Sequence, residues 1–241
     1  MSRLTRSAIL TPAAALCLAL CAAAASAQET SPSPAARAER PQQPDAPKKA
    51  NARPAGAERA AEPFDAATPK EMAARCVRLE TEAGVIELEM LAETAPESAR
   101  NFLNLAATGF YDTTTFSRVV RGFVIQGGNA RTREQLTPEL AERARRTVAD
   151  EPNPVPHVRG VVSMARSEEP NSATTNFFIL VGEAAHLDGK FAAFGRVRSG
   201  MEVVDAINQA PAEGEKPSKP VRLRRASVFT CEPAARPADR Q

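Results

Sequence analysis

Arg118, Phe123 and Gln126 are the residues of this sequence whose types and spacing could do chemistry together. They lie in the stretch 116–129, which is otherwise apolar and typical of β-structure. Gly122 indicates a bend between two short strands, so both strands could contribute to one curved sheet face. On that face a permanently protonated guanidinium would be held by an amide, next to an aromatic ring. On spacing alone, an edge strand with a solvated arginine is the alternative.

The histidines, the glycine pair and the net charge give no signal for a metal, phosphate or nucleic-acid site. No Cys, Asp or Glu stands at metal-ligand spacing beside a second histidine, so His157 and His186 are expected to be loop residues. Gly127 and Gly128 are not followed by the Lys-Ser/Thr pair of a phosphate loop and predict the end of a strand. A net charge of +2 over 241 residues gives no indication of nucleic-acid binding. We therefore expect no metal, no cofactor and no nucleic-acid partner.

Residues 1–27 have the pattern of a secretory signal peptide. Arg3 and Arg6 precede an alanine-rich apolar run that ends in a small-x-small cleavage pattern. A proline interrupts this run, which disfavours the alternative of a membrane anchor, so the mature chain should have no membrane span. Cys21 follows a leucine rather than a small residue, which disfavours lipid anchoring there. The expected location is outside the cytoplasm, in the periplasm.

Composition divides the rest of the chain. Residues 28–70 contain eight prolines and twelve alanines but no Val, Ile, Leu or Met. Such a segment buries too little apolar surface to offset its ordering entropy, so 28–75 is predicted to be a disordered linker. The folded domain is expected over 76–232, and 233–241 is predicted to be a disordered tail.

The folded part shows about eight strand patterns and two main helices. Apolar and polar residues alternate over 77–80 and 86–90, which predicts an antiparallel hairpin with one buried face. Thr94 and Glu97 fit a capping box at the start of the first helix, and the second helix follows Gly200. The intervening excursion, 131–146, is expected to carry a short helix. Many short strands without βαβ alternation favour an antiparallel barrel or sandwich.

Two cysteines, Cys76 and Cys231, stand at the beginning and end of the folded region. An exported chain reaches a compartment where disulfides persist, so a bridge between them is favoured if the first and last strands are neighbours. Two unpaired thiols are the alternative.

Five motifs, in this order and spacing, resemble the cyclophilin family of peptidyl-prolyl cis-trans isomerases, in its bacterial exported branch. The motifs occupy residues 116–128, 163–166, 171–179, 187–190 and 194–197. The resemblance implies a mainly β fold, a closed eight-stranded antiparallel β-barrel capped by two α-helices. It makes the terminal strands neighbours, which favours the bridge between Cys76 and Cys231.

The resemblance also implies roles for individual residues. Arg118 matches the catalytic arginine, and Gln126 matches the glutamine that positions it. The matching substrate-binding positions are Phe123, Val124, Ala165, Arg166, Asn176, Phe178, His186, Leu187 and Phe191. Three positions depart from the usual family pattern: Asn176 replaces Gln, Ser117 replaces His, and His186 replaces an aromatic residue. Weak cyclosporin binding is expected because of His186.

The implied activity is rotation about X-Pro bonds in exported proteins as they fold. Proline-containing polypeptides are the implied substrates, and the chain is expected to be a monomer. The alternative is a cyclophilin-like chaperone or Pro-peptide binding module with weak turnover, which Asn176 and His186 favour.

Overall fold

The computed structural model describes residues 60–231, which fold around one large antiparallel sheet. The predicted signal peptide, the linker up to residue 59 and the tail from residue 232 lie outside the described residues. The sheet contains the strands β1 Arg75–Thr81, β2 Gly84–Met90, β3 Arg118–Val120, β4 Val124–Gly127, β5 Val161–Met164, β6 Phe177–Leu180, β7 Ala193–Ser199 and β10 Leu223–Thr230. A separate hairpin is formed by β8 Ala212–Glu213 and β9 Lys216–Pro217.

The sheet is open, which corrects the predicted closed barrel. Its strand order is β10-β1-β2-β7-β5-β6-β4-β3, so β10 and β3 are the two edges. The segment before β3 meets the start of β10 only over a short stretch, at the isolated bridge between Thr115 and Arg222 and through backbone hydrogen bonds that join residues 113–116 to residues 221–223. The backbone N–H of Val119 in β3 donates instead to the carbonyl of Glu215 in the β8–β9 hairpin, at 2.8 Å. The edge that would close a barrel is therefore occupied by this hairpin.

Alternation along the strands produces two apolar layers. The main core lies inside the curved sheet, where Phe177 and Ile179 of β6 and Ile125 of β4 pack. Their neighbours Phe178 and Val124 point to the opposite face, into a second and smaller cluster. Because successive side chains of a strand point to opposite faces, one run of apolar residues supplies both layers.

Within residues 60–231, four α-helices surround the sheet: α1 Pro69–Ala73, α2 Pro96–Ala107, α3 Pro138–Arg143 and α4 Met201–Gln209. Helices α2 and α4 are the two predicted caps, and α3 is the short helix expected in the excursion. Helix α2 places Phe102 in the main core, within 5.1 Å of the rings of Tyr111 and Phe177.

The predicted capping box of α2 is wrong. The N-cap of α2 is Ala95, which has no side-chain hydrogen bond. The carboxylate of Glu151, from a distant loop, instead accepts the backbone N–H groups of Glu97 at 2.9 Å and Ser98 at 2.8 Å. A carboxylate at this end satisfies two orphan donors and complements the helix dipole. The Thr-x-x-Glu pattern missed it because the capping residue is remote in sequence.

Ordered structure begins before residue 76, within the segment predicted to be a linker. Helix α1 begins with a capping box between Thr68 and Glu71. Ahead of it, Phe64 packs against the main core, and its carbonyl accepts a hydrogen bond of 2.6 Å from Arg100 of α2. Glu62 accepts a hydrogen bond of 2.6 Å from the buried Arg143. Polar contacts of this kind leave no hydrophobic pattern, so composition alone extends the linker too far.

Cys76 and Cys231 form a disulfide that joins the two ends of the domain. Strands β1 and β10 are antiparallel partners, with Arg75 opposite Thr230, which brings the two cysteines together. No helix within residues 60–231 has the length and apolar character needed to cross a membrane.

Candidate active site

Arg118 and Gln126 face each other across the hairpin formed by β3 and β4. Gly122 lies in the turn with φ of +74°, a conformation that favours glycine. The strand register then places Arg118 opposite Gln126, whose Oε1 accepts a hydrogen bond of 3.3 Å from Nη1 of Arg118. The predicted meeting of these two side chains is present. Strand β3 is also an edge strand, but its arginine is paired rather than merely solvated.

A small cavity opens beside this pair. It encloses about 160 Å³, less than the roughly 300–1,000 Å³ of pockets for drug-sized ligands. Nine of the eleven predicted catalytic and substrate-binding residues line it. They are Arg118, Phe123, Val124, Gln126, Ala165, Arg166, Phe178, Leu187 and Phe191.

The floor of the cavity is the second apolar cluster. Val124, Phe178 and Leu187 are nearly completely buried there, and Phe123 and Phe191 pack against them. Gln126 of β4 pairs with Phe178 of β6, so the polar group and the apolar wall share one row of the sheet. Along each strand, residues that point to one face of the sheet fill the main core, and the alternate residues on the other face line the cavity.

Phe191 and Arg166 form one side wall. The ring of Phe191 meets that of Phe178 edge to face, with centroids 5.9 Å apart. The guanidinium of Arg166 lies 5.0 Å from the centroid of Phe191 and 3.7 Å from a carboxylate oxygen of Asp150. Stacking and ion pairing together hold the long arginine side chain along the wall.

The two other predicted residues, Asn176 and His186, lie outside the cavity lining. The buried Oδ1 of Asn176 has no hydrogen-bond partner among residues 60–231, and its side chain lines a neighbouring cavity with Asn129 and Thr174. The exposed His186 belongs to a 3-10 helix, Ala185–Leu187, and its ring centroid lies 5.7 Å from that of Phe123. His186 therefore stands at the rim, against one cavity wall.

Glu215 is a residue of the site that the sequence interpretation missed. Its carboxylate accepts hydrogen bonds from Nε of Arg118 at 2.7 Å and from Nη2 at 2.9 Å. These bonds hold the pKa of Glu215 below its ordinary value of 4.5, so the group is ionised at neutral pH. Its separation of 97 residues from Arg118 leaves no local pattern that could have revealed the contact.

His157 supports the cavity from behind, a role that its loop position did not indicate. Its Nδ1 lies 3.0 Å from Oδ1 of Asp188, and its Nε2 lies 2.9 Å from Oγ of Ser163. The order Asp-His-Ser resembles that of a serine hydrolase, but the side chain of Ser163 is completely buried and out of reach of a substrate. The network instead ties the loop of Leu187 to strand β5.

The chemistry available is that of one fixed cation beside an apolar recess. No group of three or more His, Cys, Asp or Glu residues that could hold a metal occurs within residues 60–231. The recess suits a small apolar ring, and Arg118 can donate a hydrogen bond to an acceptor atom on that ring.

Comparison with known proteins agrees with this geometry. Residues 76–228 match the family described as cyclophilin type peptidyl-prolyl cis-trans isomerase/CLD. The chain belongs to this cyclophilin family. The matched segment contains all eleven predicted residues and Glu215, whereas α1 and the ordered residues before it lie outside.

Two curated relatives and one solved structure illustrate the similarity. Peptidyl-prolyl cis-trans isomerase A of Dickeya dadantii is 38% identical over 167 residues, covering 64% of this cyclophilin and 84% of the relative. Peptidyl-prolyl cis-trans isomerase cypE of Dictyostelium discoideum is 36% identical, covering 65% and 99%. A cyclophilin-type isomerase of Cryptosporidium parvum, crystallised in the presence of the dipeptide Ala-Pro, is 26% identical with a TM-score of 0.56, covering 65% and 99%.

Proposed function

We propose that this cyclophilin accelerates rotation about X-Pro bonds in exported polypeptides as they fold. The observation that carries the proposal is the cavity in which the paired Arg118 and Gln126 face a recess walled by Phe123, Phe178 and Phe191. Relatives named as peptidyl-prolyl isomerases, and a related structure determined with Ala-Pro, support proline-containing substrates.

The physical problem is the partial double bond between the preceding carbonyl carbon and the prolyl nitrogen. Delocalisation of the nitrogen lone pair gives a rotation barrier of roughly 18–20 kcal/mol and relaxation over tens of seconds or longer. As the bond twists, the lone pair localises on nitrogen and becomes a better hydrogen-bond acceptor. A donor placed there stabilises the twisted state more than either planar state, which is the condition for catalysis.

We assign that donor to Arg118, because a guanidinium presents its N–H donors in a rigid, planar fork. The aromatic and aliphatic walls bury the pyrrolidine ring, so the ring stays in place while the preceding carbonyl rotates. Gln126 limits the orientations of the guanidinium through the hydrogen bond to Nη1. The reaction requires neither a nucleophile nor proton transfer.

The test is an NMR exchange assay on an Ala-Pro peptide, with wild type, Arg118→Ala and Arg121→Ala. Arg121 is the matched control because it is exposed in the same hairpin and donates to the carbonyl of Gln209, away from the cavity. Losing one preorganised donor should lower kcat/KM about 100- to 1,000-fold in Arg118→Ala, and Arg121→Ala should match wild type. Wild type without acceleration would refute the isomerase, and an Arg118→Ala variant as fast as wild type would refute the mechanism.

A second candidate is a proline-peptide binding module with little turnover. The specific observation in its favour is Asn176, whose buried Oδ1 has no partner within the described chain and whose side chain is one methylene shorter than the usual glutamine. Peptide binding in the same NMR titration, without faster exchange, would select this candidate.

Export to the periplasm is part of the proposal. It is supported by the signal-like residues 1–27 and by the disulfide between Cys76 and Cys231, a bond that persists in oxidising compartments. The mass of the chain recovered from an expressing bacterium should correspond to cleavage after Ala27. Retention of the intact N-terminus, or a lipid on Cys21, would contradict it.

A further inference from the structure

The β8–β9 hairpin presents a carboxylate to the arginine to which we assign catalysis. Glu215 binds the Nε and Nη2 edge of Arg118 with two hydrogen bonds, of 2.7 and 2.9 Å, whereas Gln126 makes one bond of 3.3 Å to Nη1. The two-bond contact with a charged partner is the shorter and stronger of the two. Glu215 therefore fixes the plane of the guanidinium more firmly than Gln126 does.

We propose that Glu215 is a positioning residue that holds Arg118 in the orientation needed for isomerisation, a role that rests on the proposed function.

Glu215 is itself held in place by the backbone. Its carbonyl accepts the N–H of Val119, the residue directly after Arg118, at 2.8 Å. The hairpin is closed by the pairs Ala212–Pro217 and Glu213–Lys216, and Pro217 is buried. The carboxylate is thus tied to the strand that carries the arginine. This attachment favours a permanent support over a movable lid that would compete with the substrate.

The donors of Arg118 remain sufficient for a substrate. A guanidinium has five N–H groups, of which Glu215 uses one on Nε and one on Nη2 and Gln126 uses one on Nη1. One N–H on each terminal nitrogen is left to donate to a prolyl nitrogen. Without Glu215 the same donors would be distributed over several rotamers of a long, flexible side chain.

Exposure of the pair makes the proposal testable without loss of folding. The side chains of Arg118 and Glu215 are 40% and 57% exposed, and solvent-exposed ion pairs contribute little to stability. The effect of removing Glu215 should therefore appear in turnover, with a melting temperature within about 2 °C of wild type.

The experiment measures kcat and KM separately for wild type, Glu215→Ala, Glu215→Gln and Glu213→Ala, using NMR exchange on an Ala-Pro peptide. Glu213 is the matched control, an exposed carboxylate on the same hairpin. We expect kcat to fall about tenfold in Glu215→Ala with KM changed less than about twofold, because orientation rather than pocket binding is lost. Glu215→Gln keeps one acceptor oxygen and should be intermediate, and Glu213→Ala should match wild type.

A second readout is the Nε–H resonance of Arg118 in the free protein. It should be shifted downfield and protected from exchange with water in wild type, and it should lose both properties in Glu215→Ala. Unchanged kcat in Glu215→Ala would overturn the positioning role, and a faster variant would overturn it in favour of competition with the substrate. Absence of turnover in wild type would instead overturn the proposed function, and this role with it.

Discussion

Breaking the disulfide between Cys76 and Cys231 should lower the free energy of unfolding by about 5 kcal/mol. The bridge spans 155 positions of the chain, so it closes nearly the whole domain into one loop. In the chain-entropy treatment, closing a loop of this length lowers the conformational entropy of the unfolded state, which raises its free energy by about 5 kcal/mol at 25 °C. That is comparable with the total stability of many domains, roughly 5–15 kcal/mol.

The native state should change little when the bridge is lost. Strands β1 and β10 remain paired, and the N–H of Cys231 still donates to the carbonyl of Ala74 at 3.0 Å. The cavity is built by other strands, so isomerase activity at 25 °C should survive reduction. The expected effect is therefore confined to the unfolded ensemble, which becomes larger and exposes more surface.

Urea unfolding of the chain starting at Gln28 measures this effect, since only these two cysteines remain in it. Oxidised wild type, reduced wild type and Cys76→Ala/Cys231→Ala should be compared, because Cys76 is completely buried and reduced wild type keeps both thiols. Reduction should also raise the m-value, which scales with the surface exposed on unfolding. A loss below about 1 kcal/mol on reduction, with unchanged m, would refute the loop-entropy reasoning.

Two further predictions concern buried and acid-sensitive contacts. Arg143→Met removes a nearly buried guanidinium from Glu62 and Asn101 and should lower the free energy of unfolding in urea by on the order of 3 kcal/mol. The control Arg145→Met breaks an exposed ion pair and should lower it by less than about 0.5 kcal/mol. Equal losses in the two variants would contradict the prediction. The pKa of Asp188 is held below its ordinary value of 3.8 by the backbone N–H and the ring of His157, with His186 nearby. Ionised Asp188 therefore stabilises the folded state above pH 3.8, and this stabilisation is lost as the pH falls through the lower pKa of the folded state. Below about pH 4 the melting temperature should decline less steeply in Asp188→Asn than in wild type or in the control Glu183→Gln. Parallel curves for the three proteins would count against this contact.

Local pattern predicted the parts of the site that depend on strand alternation and on one turn. The bend at Gly122 predicted that Arg118 and Gln126 could meet on one sheet face, as their register and hydrogen bond show, whereas the position of Phe178 in the pocket was implied by the family resemblance. Apolar residues at helical spacing predicted both capping helices.

Contacts between remote polar residues were not predictable in this way. Glu151 at the start of α2, and Glu215 on Arg118, are single carboxylates in loops whose positions depend on the completed fold. The order before residue 76 was hidden by a Pro- and Ala-rich composition, because Phe64 is held on α2 by backbone hydrogen bonds and α1 buries a single large side chain, Met72. The open sheet likewise depends on where the β8–β9 hairpin lies, which alternation does not specify.

The β8–β9 hairpin has a second consequence, for association between molecules. An open sheet leaves edge strands whose unpaired backbone groups can recruit a strand from another chain, and β3 is such an edge. The hairpin occupies the N–H of Val119 in the middle of β3, and the charged side chains of Arg118 and Glu215 lie beside it. If the proposed role in folding holds, the substrates of this cyclophilin expose such strands. With the N–H of Val119 occupied and two charged side chains beside it, β3 offers a strand from another chain a poorer edge for pairing.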